Sequence, residues 1–446
     1  MTRTADRRGT TERRWAVARD AVATRLWPLP VAAVVAAVIL GIVVPIIDVA
    51  VDPQLAGTSA DLLFGSGTAA ARSVLSAIAG SMITVTSLTF SLTVVALQLA
   101  SSQASPRVLR LFAADRTVHA TLALFLGTFA YSLTVLRTVS DSGEGFTPRI
   151  AVTLASLLTF ASVIQLTVFL AHLARQLRVE TVMRDVHAET DRTIALLVQT
   201  SETPAATAPA EPDEVELVVA PGSGFITGVD RRTMIEVAVE HDLVVRELRA
   251  IGANVIEGTA MLEWWPRPAG AQTEELDGEA ITRRLAAAVQ IGYERTPTQD
   301  VGYGVRQLVD IAARALSPGI NDPTTAVHAL GHLSALLADL GGLPPTPPAL
   351  ADDRGIARSV PALDGFEELL ELAVQQPRRY GVEDPAVVRR LYLLFDELGE
   401  RVRDLGRRGA IRRSLDRLDA SVAAARYLDE EREEFDALSR RARARL

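Results

Sequence analysis

The residues from Ala69 to Ser102 contain no proline and a single charge, Arg72. A helix over this stretch runs for about 50 Å at about 1.5 Å per residue, further than the ~30 Å hydrocarbon core of a bilayer. At about 3.6 residues per turn, Ser73, Ser76, Gly80, Thr84, Ser87, Ser91, Gln98 and Ser102 share one side, with Val95 as its apolar member. Thr86, Thr89 and Thr93 form a shorter row opposite, and Met82, Ile83, Leu88, Phe90, Leu92 and Leu97 fill the flanks, so this helix calls for neighbours on more than one side. Ser76, Gly80, Thr84, Ser87, Ser91, Gln98 and Ser102 read as the lining of a water-filled pore, because hydroxyls and an amide replace part of an ion's hydration without a full charge in the membrane. The same spacing serves close helix packing, with each hydroxyl bonded to its own preceding turn or to a neighbour. In an oligomer one face can line a path while the other packs.

Three further crossings follow from apolar length. Trp27 to Ile47 is a first span, with Ala33, Ala37 and Gly41 as a close-packing edge; Thr117 to Leu136 is a third, with the small pair Ala123 and Gly127; Ile150 to Leu170 is a fourth. The loop after the first span carries Asp48, Asp52 and Asp61, whereas Arg107, Arg110 and Arg116 precede the third and Arg175, Arg178 and Arg184 follow the fourth. The positive-inside rule then puts both termini in the cytoplasm. Arg used throughout in place of Lys suggests a high-GC bacterial source, and with it the bacterial plasma (inner) membrane. Arg72, Arg137, His119 and His172 lie near span ends, where snorkelling accounts for them. No Asp or Glu falls mid-span, which argues against a proton pump with a buried carboxylate relay.

Composition removes other chemistries. The chain of 446 residues has no Cys and no Lys, which excludes disulfides, thiolate catalysis, Schiff bases, Walker-type phosphate loops and lipoyl or biotinyl attachment. Its net charge is −8, with the basic residues beside the apolar spans and the acidic excess later, which gives no argument for a nucleic-acid partner. No cofactor is implied.

Past the fourth span, residues 176–214 read as an amphipathic helix and a Pro/Ala-rich linker. Residues 215–266 read as a small α+β module: strands around the Pro-Gly turn of VELVVAPGSGFITGV, a helix capped by Asp230, then strands with Gly turns ending at Trp264 and Trp265. Side by side on a strand, the two Trp face opposite ways, one to the core and one to an interface. The module is similar to a lipoyl-like half-barrel, but without Lys it carries no prosthetic group. Residues 267–446 read as a helical domain, with LGGLPPTPPALADDRG as a Pro-rich surface loop.

Three weaker clusters sit in that last region. Arg306, Asp310 and Arg314 are four apart on one helix, a ladder of intrahelical ion pairs whose two guanidinium groups can also hold an anion. In SPGINDPTT, Pro318 and Gly319 end one helix, Asp322 caps the next and Pro323 takes its first position; with Asn321 and Asp322 this turn is a candidate anion or ligand contact. His328 and His332, at i and i+4, have metal-sharing spacing, but the intervening residues lack a Glu and no third ligand is evident.

The phrases SLTFSLTVVALQLASSQASPRVLRLF, LFLGTFAYSLTVL and RQLVDIAARALSPGINDPTTA, with the SGF strand pair, resemble a bacterial family of predicted membrane proteins catalogued as domain of unknown function 2254. The resemblance implies four membrane helices and a cytoplasmic domain and brings no catalytic residues. The expectation is an α-helical integral membrane protein: a basic segment at 1–26, four transmembrane helices in 27–175, then the cytoplasmic α+β module and helical bundle. Its partners are the lipid bilayer, copies of itself as a homo-oligomer, and transported ions. The functional reading is a channel or passive transporter whose second helix lines a shared pore, against a membrane-anchored sensory or interaction scaffold without conduction; no nucleophile stands beside a base, so an enzyme is not expected.

Overall fold

A computed structural model describes residues 27–51, 67–103, 115–139, 147–200, 205–207, 209–210, 212–267, 277–344 and 348–446. The Arg-rich segment 1–26, the loops that set the charge asymmetry at 52–66 and 104–114, and residues 201–204, 208 and 211 of the expected linker lie outside them. The chain is mostly helical with a small sheet region, and it divides into two units, Met1–Thr181 and Val182–Leu446.

Four helices of the first unit are long and apolar enough to cross a membrane: α1 (Pro28–Val51), α2 (Thr68–Gln103), α3 (Arg116–Leu136) and α4 (Arg149–Gln176). The expected rod is one unbroken helix, α2. The hub of the unit is nevertheless α3, which packs against each of the other three. Small residues make that possible. A Cβ on Gly127 of α3 would sit 3.7 Å from the Ala33 carbonyl and 3.9 Å from the Ala37 Cβ, and one on Gly41 of α1 would come within 2.8 Å of Thr134. The edge Ala33, Ala37 and Gly41 therefore meets α3, as close backbone approach between apolar helices requires.

Polar bonds pin the helix ends. Asp48, read from the sequence as a loop residue, belongs to α1 and is only 3% exposed; its carboxylate accepts from the Ile150 and Ala151 N–H groups at 3.0 and 2.9 Å. It supplies the cap that Pro148 cannot, against the positive end of the α4 dipole. At the other end of α3, Asp115 accepts from Thr117 N–H at 2.7 Å, from His172 Nε2 at 2.5 Å and from Gln176. Arg72 donates to the Val139 carbonyl at 3.0 Å. His172 and Arg72 thus hold partners within the protein, which the snorkelling expectation missed. Between the ends, Gln165 donates to Thr121 at 2.8 Å and Thr128 meets Ser162 at 3.3 Å, each such bond contributing about 0.6 kcal/mol. Val118, Leu122 and Phe169 interrupt this seam with an apolar layer.

In the second unit, helix α5 (Val179–Thr200) precedes a short β1 (Ala205–Ala206) and then β2 (Glu216–Val219), β3 (Gly224–Val229), α6 (Arg231–Glu240), β4 (Leu243–Glu247), β5 (Asn254–Val255) and β6 (Ala260–Pro266). Next come α7 (Gly278–Ala287), β7 (Val289–Gly292), α8 (Val301–Ala315), α9 (Pro323–Gly342), β8 (Ala349–Ala351) and β9 (Ala357–Val360). Four helices close the chain: α10 (Phe366–Gly381), α11 (Pro385–Arg401), α12 (Leu405–Ala424) and α13 (Asp429–Arg445). Asp230 caps α6 as its position predicts, accepting from Thr233 N–H at 3.2 Å. The strands form a six-stranded sheet, β1-β8-β9-β4-β6-β2, and a three-stranded one, β5-β3-β7. Thus β2 and β3, neighbours across the Pro-Gly turn, belong to different sheets.

Residue 266 is not a structural boundary. β7 pairs with β3, and β9 runs parallel to β4, so segments far along the chain complete the α+β module. The expected Pro-rich loop contributes β8, whose three residues are all buried. These strands are too short for period-2 patterning to reveal them. Both Trp are buried as well, Trp264 at 3% exposure in the core with α6 and α7, and Trp265 at 2% with the Arg246 guanidinium 5.0 Å from its ring centre. Trp265 is thus as enclosed as Trp264, and neither is left at an open surface.

Arg358 of β9 is 4% exposed and binds Asp352 at 2.9 Å and Asp242, after α6, at 2.6 Å. The hydrogen bond from Arg358 holds the Asp242 carboxyl below its usual range. Burial alone would raise Asp352, but bonds from Arg358 and from the Ile356 and Arg354 N–H groups outweigh it and lower this carboxyl also. Arg358→Met is expected to cost about 3 kcal/mol at neutral pH, because it leaves the buried Asp352 without its cation and Asp242 with Arg267 alone. Depressed carboxyl pKa values stabilise above about pH 4 and stop doing so as pH falls through the folded values. The deficit measured by denaturant titration should therefore shrink on acidification below about pH 4. In the same unit, a Cβ on Gly304 of α8 would fall within 1.9 Å of Thr190 Oγ1 on α5. Gly304→Val is expected to force α5 off α8, seen as new proteolytic cleavage between Val182 and Ile194 and a loss of about 1–3 kcal/mol.

Candidate functional site

The two polar rows of α2 have opposite fates. Ala71, Leu75, Ile78, Ala79, Met82, Thr86, Thr89, Thr93 and Ala96 form one buried stripe against the rest of the unit. In this stripe Thr86 and Thr93 donate to the Met82 and Thr89 carbonyls at 2.7 and 2.8 Å, so their methyl groups pack while their hydroxyls stay satisfied. On the other side, Ser73, Ser76, Gly80, Thr84, Ser87, Ser91 and Gln98 are all exposed. A Cβ at Gly80 would meet nothing within 4 Å. Within the chain α2 therefore has neighbours on one side only, and the expected second set is absent among the described residues. Ser102 continues the helix, but its side chain lies outside the described residues.

The surface around this row mixes small polar groups with large apolar ones. Ile83, Leu88, Phe90, Val94 and Val95 are exposed beside it. Thr84 donates to the Gly80 carbonyl at 3.0 Å and so needs no outside partner. What the row presents is a strip of hydroxyls, one glycine and one amide, free of carboxylates.

The clusters of the second unit separate. Arg306, Asp310 and Arg314 are half-buried along α8, each engaged in interactions. Asn321 is exposed with φ +50°, and its N–H donates to the Ser317 carbonyl at 2.9 Å. Asp322 caps α9, accepting from Thr325 N–H at 3.1 Å and Thr325 Oγ1 at 2.6 Å; these bonds hold its carboxyl below the usual range. Pro323 takes the first turn as expected. Since Asp322 itself occupies the N-terminus of α9, an external anion competes there with a fixed carboxylate.

His328 is exposed and His332 half-buried on α9. Burial, helped by the neighbouring His187 and His328, holds the His332 imidazole below its usual value. His187 of α5, not singled out from the sequence, stands with its ring centre 5.1 Å from that of His332. A signal for it existed: α5 buries Met183, Val186, Thr190 and Ile194, and a histidine at 187 falls on the edge of that stripe. Among the described residues, no three His, Asp or Glu side chains stand gathered as a metal-binding group.

Over residues 23–397 the chain matches the family described as "Predicted membrane protein (DUF2254)". It is similar to the uncharacterized proteins Mb1321c of Mycobacterium bovis and Rv1290c of Mycobacterium tuberculosis, each 35% identical over 420 residues, with 91% of this chain and 77% of the relative covered. No solved structure matches. The match reaches from before α1 into α11, taking in all four apolar helices and both sheets, and the chain belongs to the DUF2254 family of predicted membrane proteins.

Proposed function

We infer that the chain is an integral protein of the bacterial plasma (inner) membrane, with both termini in the cytoplasm. In this reading it is no enzyme but a homo-oligomer that conducts ions passively, the exposed polar face of α2 lining a path shared between copies. The observation that carries the reading is the orientation of α2: its Thr row is turned into the protomer and its Ser76–Gly80–Thr84–Ser87–Ser91–Gln98 row is turned out. The first unit is filled around α3, so a path has to be shared between subunits. Uncharged oxygen ligands suit an ion that crosses without lasting binding. A membrane-anchored scaffold without conduction is the second reading. It is favoured by Thr84, whose hydroxyl is satisfied by its own turn and so tolerates lipid.

The two separate in liposomes. The conducting reading expects ion flux from the purified protein, reduced at least about tenfold by Ser87→Leu or Ser91→Leu, which replace hydroxyls by bulk in the path. Because the chain has no Cys, Ser87→Cys introduces its single thiol, and a water-soluble thiol reagent should block the flux of that variant alone. A folded, assembled wild type without flux under voltage and tension leaves the scaffold reading.

A further inference from the structure

His328 and His332 offer metal-sharing spacing on α9, and the fold supplies the third imidazole that the sequence does not show. His187 on α5 faces His332 with ring centres 5.1 Å apart and ring planes 58° apart. Two imidazoles on one tetrahedral ion, each with its nitrogen about 2.0–2.1 Å from the metal, hold their ring centres about 5 Å apart. The Nδ1 atom of His187 is buried and has no hydrogen-bond partner, an arrangement that a buried polar atom tolerates poorly until something binds it.

We propose that His187, His332 and His328 form a site for one transition-metal ion that ties α5 to α9. His187 and His332 already stand in the apposition of co-ligands. His328, one turn before His332 and exposed, joins them by a change of side-chain rotamer, and water completes the shell. The three side chains do not converge as they stand, so the ion completes the site. An all-imidazole set selects Zn2+, Co2+, Ni2+ or Cu2+ over Ca2+ and Mg2+, which take oxygen ligands. Asp322, capping the same helix, lies within electrostatic reach of His328 and adds negative potential on that side.

Cobalt provides the probe. Tag-free full-length protein in detergent, stripped with a chelator, is titrated with Co2+ while the visible absorption of the imidazole-bound ion is followed. The expected result is one Co2+ per chain, displaced by Zn2+. His187→Phe and His332→Phe keep a ring in the contact but remove a ligand, and each should weaken binding by roughly a hundredfold; His328→Ala should weaken it by about tenfold. His241→Ala should leave it unchanged. Zn2+ should also shield His187 and His332 of the unaltered protein from diethyl pyrocarbonate, a readout that needs no substitution. A folded wild type that takes up no Co2+ at about 100 µM, binding that survives both Phe substitutions, or carbethoxylation of His187 and His332 at the same rate with and without Zn2+ would each overturn the site.

Discussion

In the membrane reading proposed above, helices surrounded by lipid have no hydrophobic drive to associate, so the first unit depends on how closely backbones approach and on polar bonds made where they do. Both operate on α3. Gly127 admits the Ala33 and Ala37 edge of α1, while on the α4 side Thr121 accepts from the Gln165 amide, Thr128 meets the Ser162 hydroxyl and Tyr131 donates to the Ala151 carbonyl. Asp48 then ties the end of α1 to the start of α4, so the first and last apolar helices are linked directly as well as through the hub. Once α3 has spent its surface on three neighbours, α2 has only one face left to bury, and its other face is necessarily left outside the protomer.

The second unit solves a different problem with charge. Six of its helices begin on an Asp whose carboxylate accepts from the first turn, Asp230, Asp277, Asp300, Asp322, Asp384 and Asp404, as α3 of the first unit does on Asp115. Acidic residues fixed at positive dipole ends account for part of the negative net charge without creating an acidic surface. With no Lys in the chain, the strongly basic partners are Arg, whose fork binds carboxylates through two parallel bonds, as Arg231 does with Glu247 at 2.7 and 2.8 Å and Arg295 with Asp300 at 2.8 Å. Exposed pairs such as Arg413–Glu367 contribute little; the buried Arg358 network fixes which strand lies beside β4.

Features with a local physical cause were legible in the sequence, and features created by distant pairing were not. The four apolar helices, the Asp230 and Asp322 caps and Pro323 each follow from a window of a few residues or a few turns. β7, β8 and β9 are three or four residues long, and only pairing with distant segments makes them strands: β7 with β3, β9 with β4, and β8 with β1 and β9. Asp48 looked like a loop acid because no local rule shows that the N-terminus of α4 will come to it. His187 needed the third dimension as well, since strands β1 to β7 lie between it and His332 in sequence.

The α2 rows carry the sharpest lesson about residue type. Counting Ser and Thr together makes the helix polar on two sides, yet a Thr that returns its hydroxyl to the preceding turn presents a methyl group to its neighbours and behaves as a small apolar residue. Thr86 and Thr93 do this and are inside, beside Met82 and Ala96, whereas Thr84 does it on the outer face, so the bond permits burial without dictating it. Ser and Gly have no methyl to contribute in exchange, and Gln98 keeps both donor and acceptor at the end of its chain. A face made of Ser76, Gly80, Ser87, Ser91 and Gln98 therefore gains little from lipid and little from the protomer's own packing. Its composition makes sense where a second copy or water supplies the contacts, which is why the direction this face points weighs more than its number of hydroxyls.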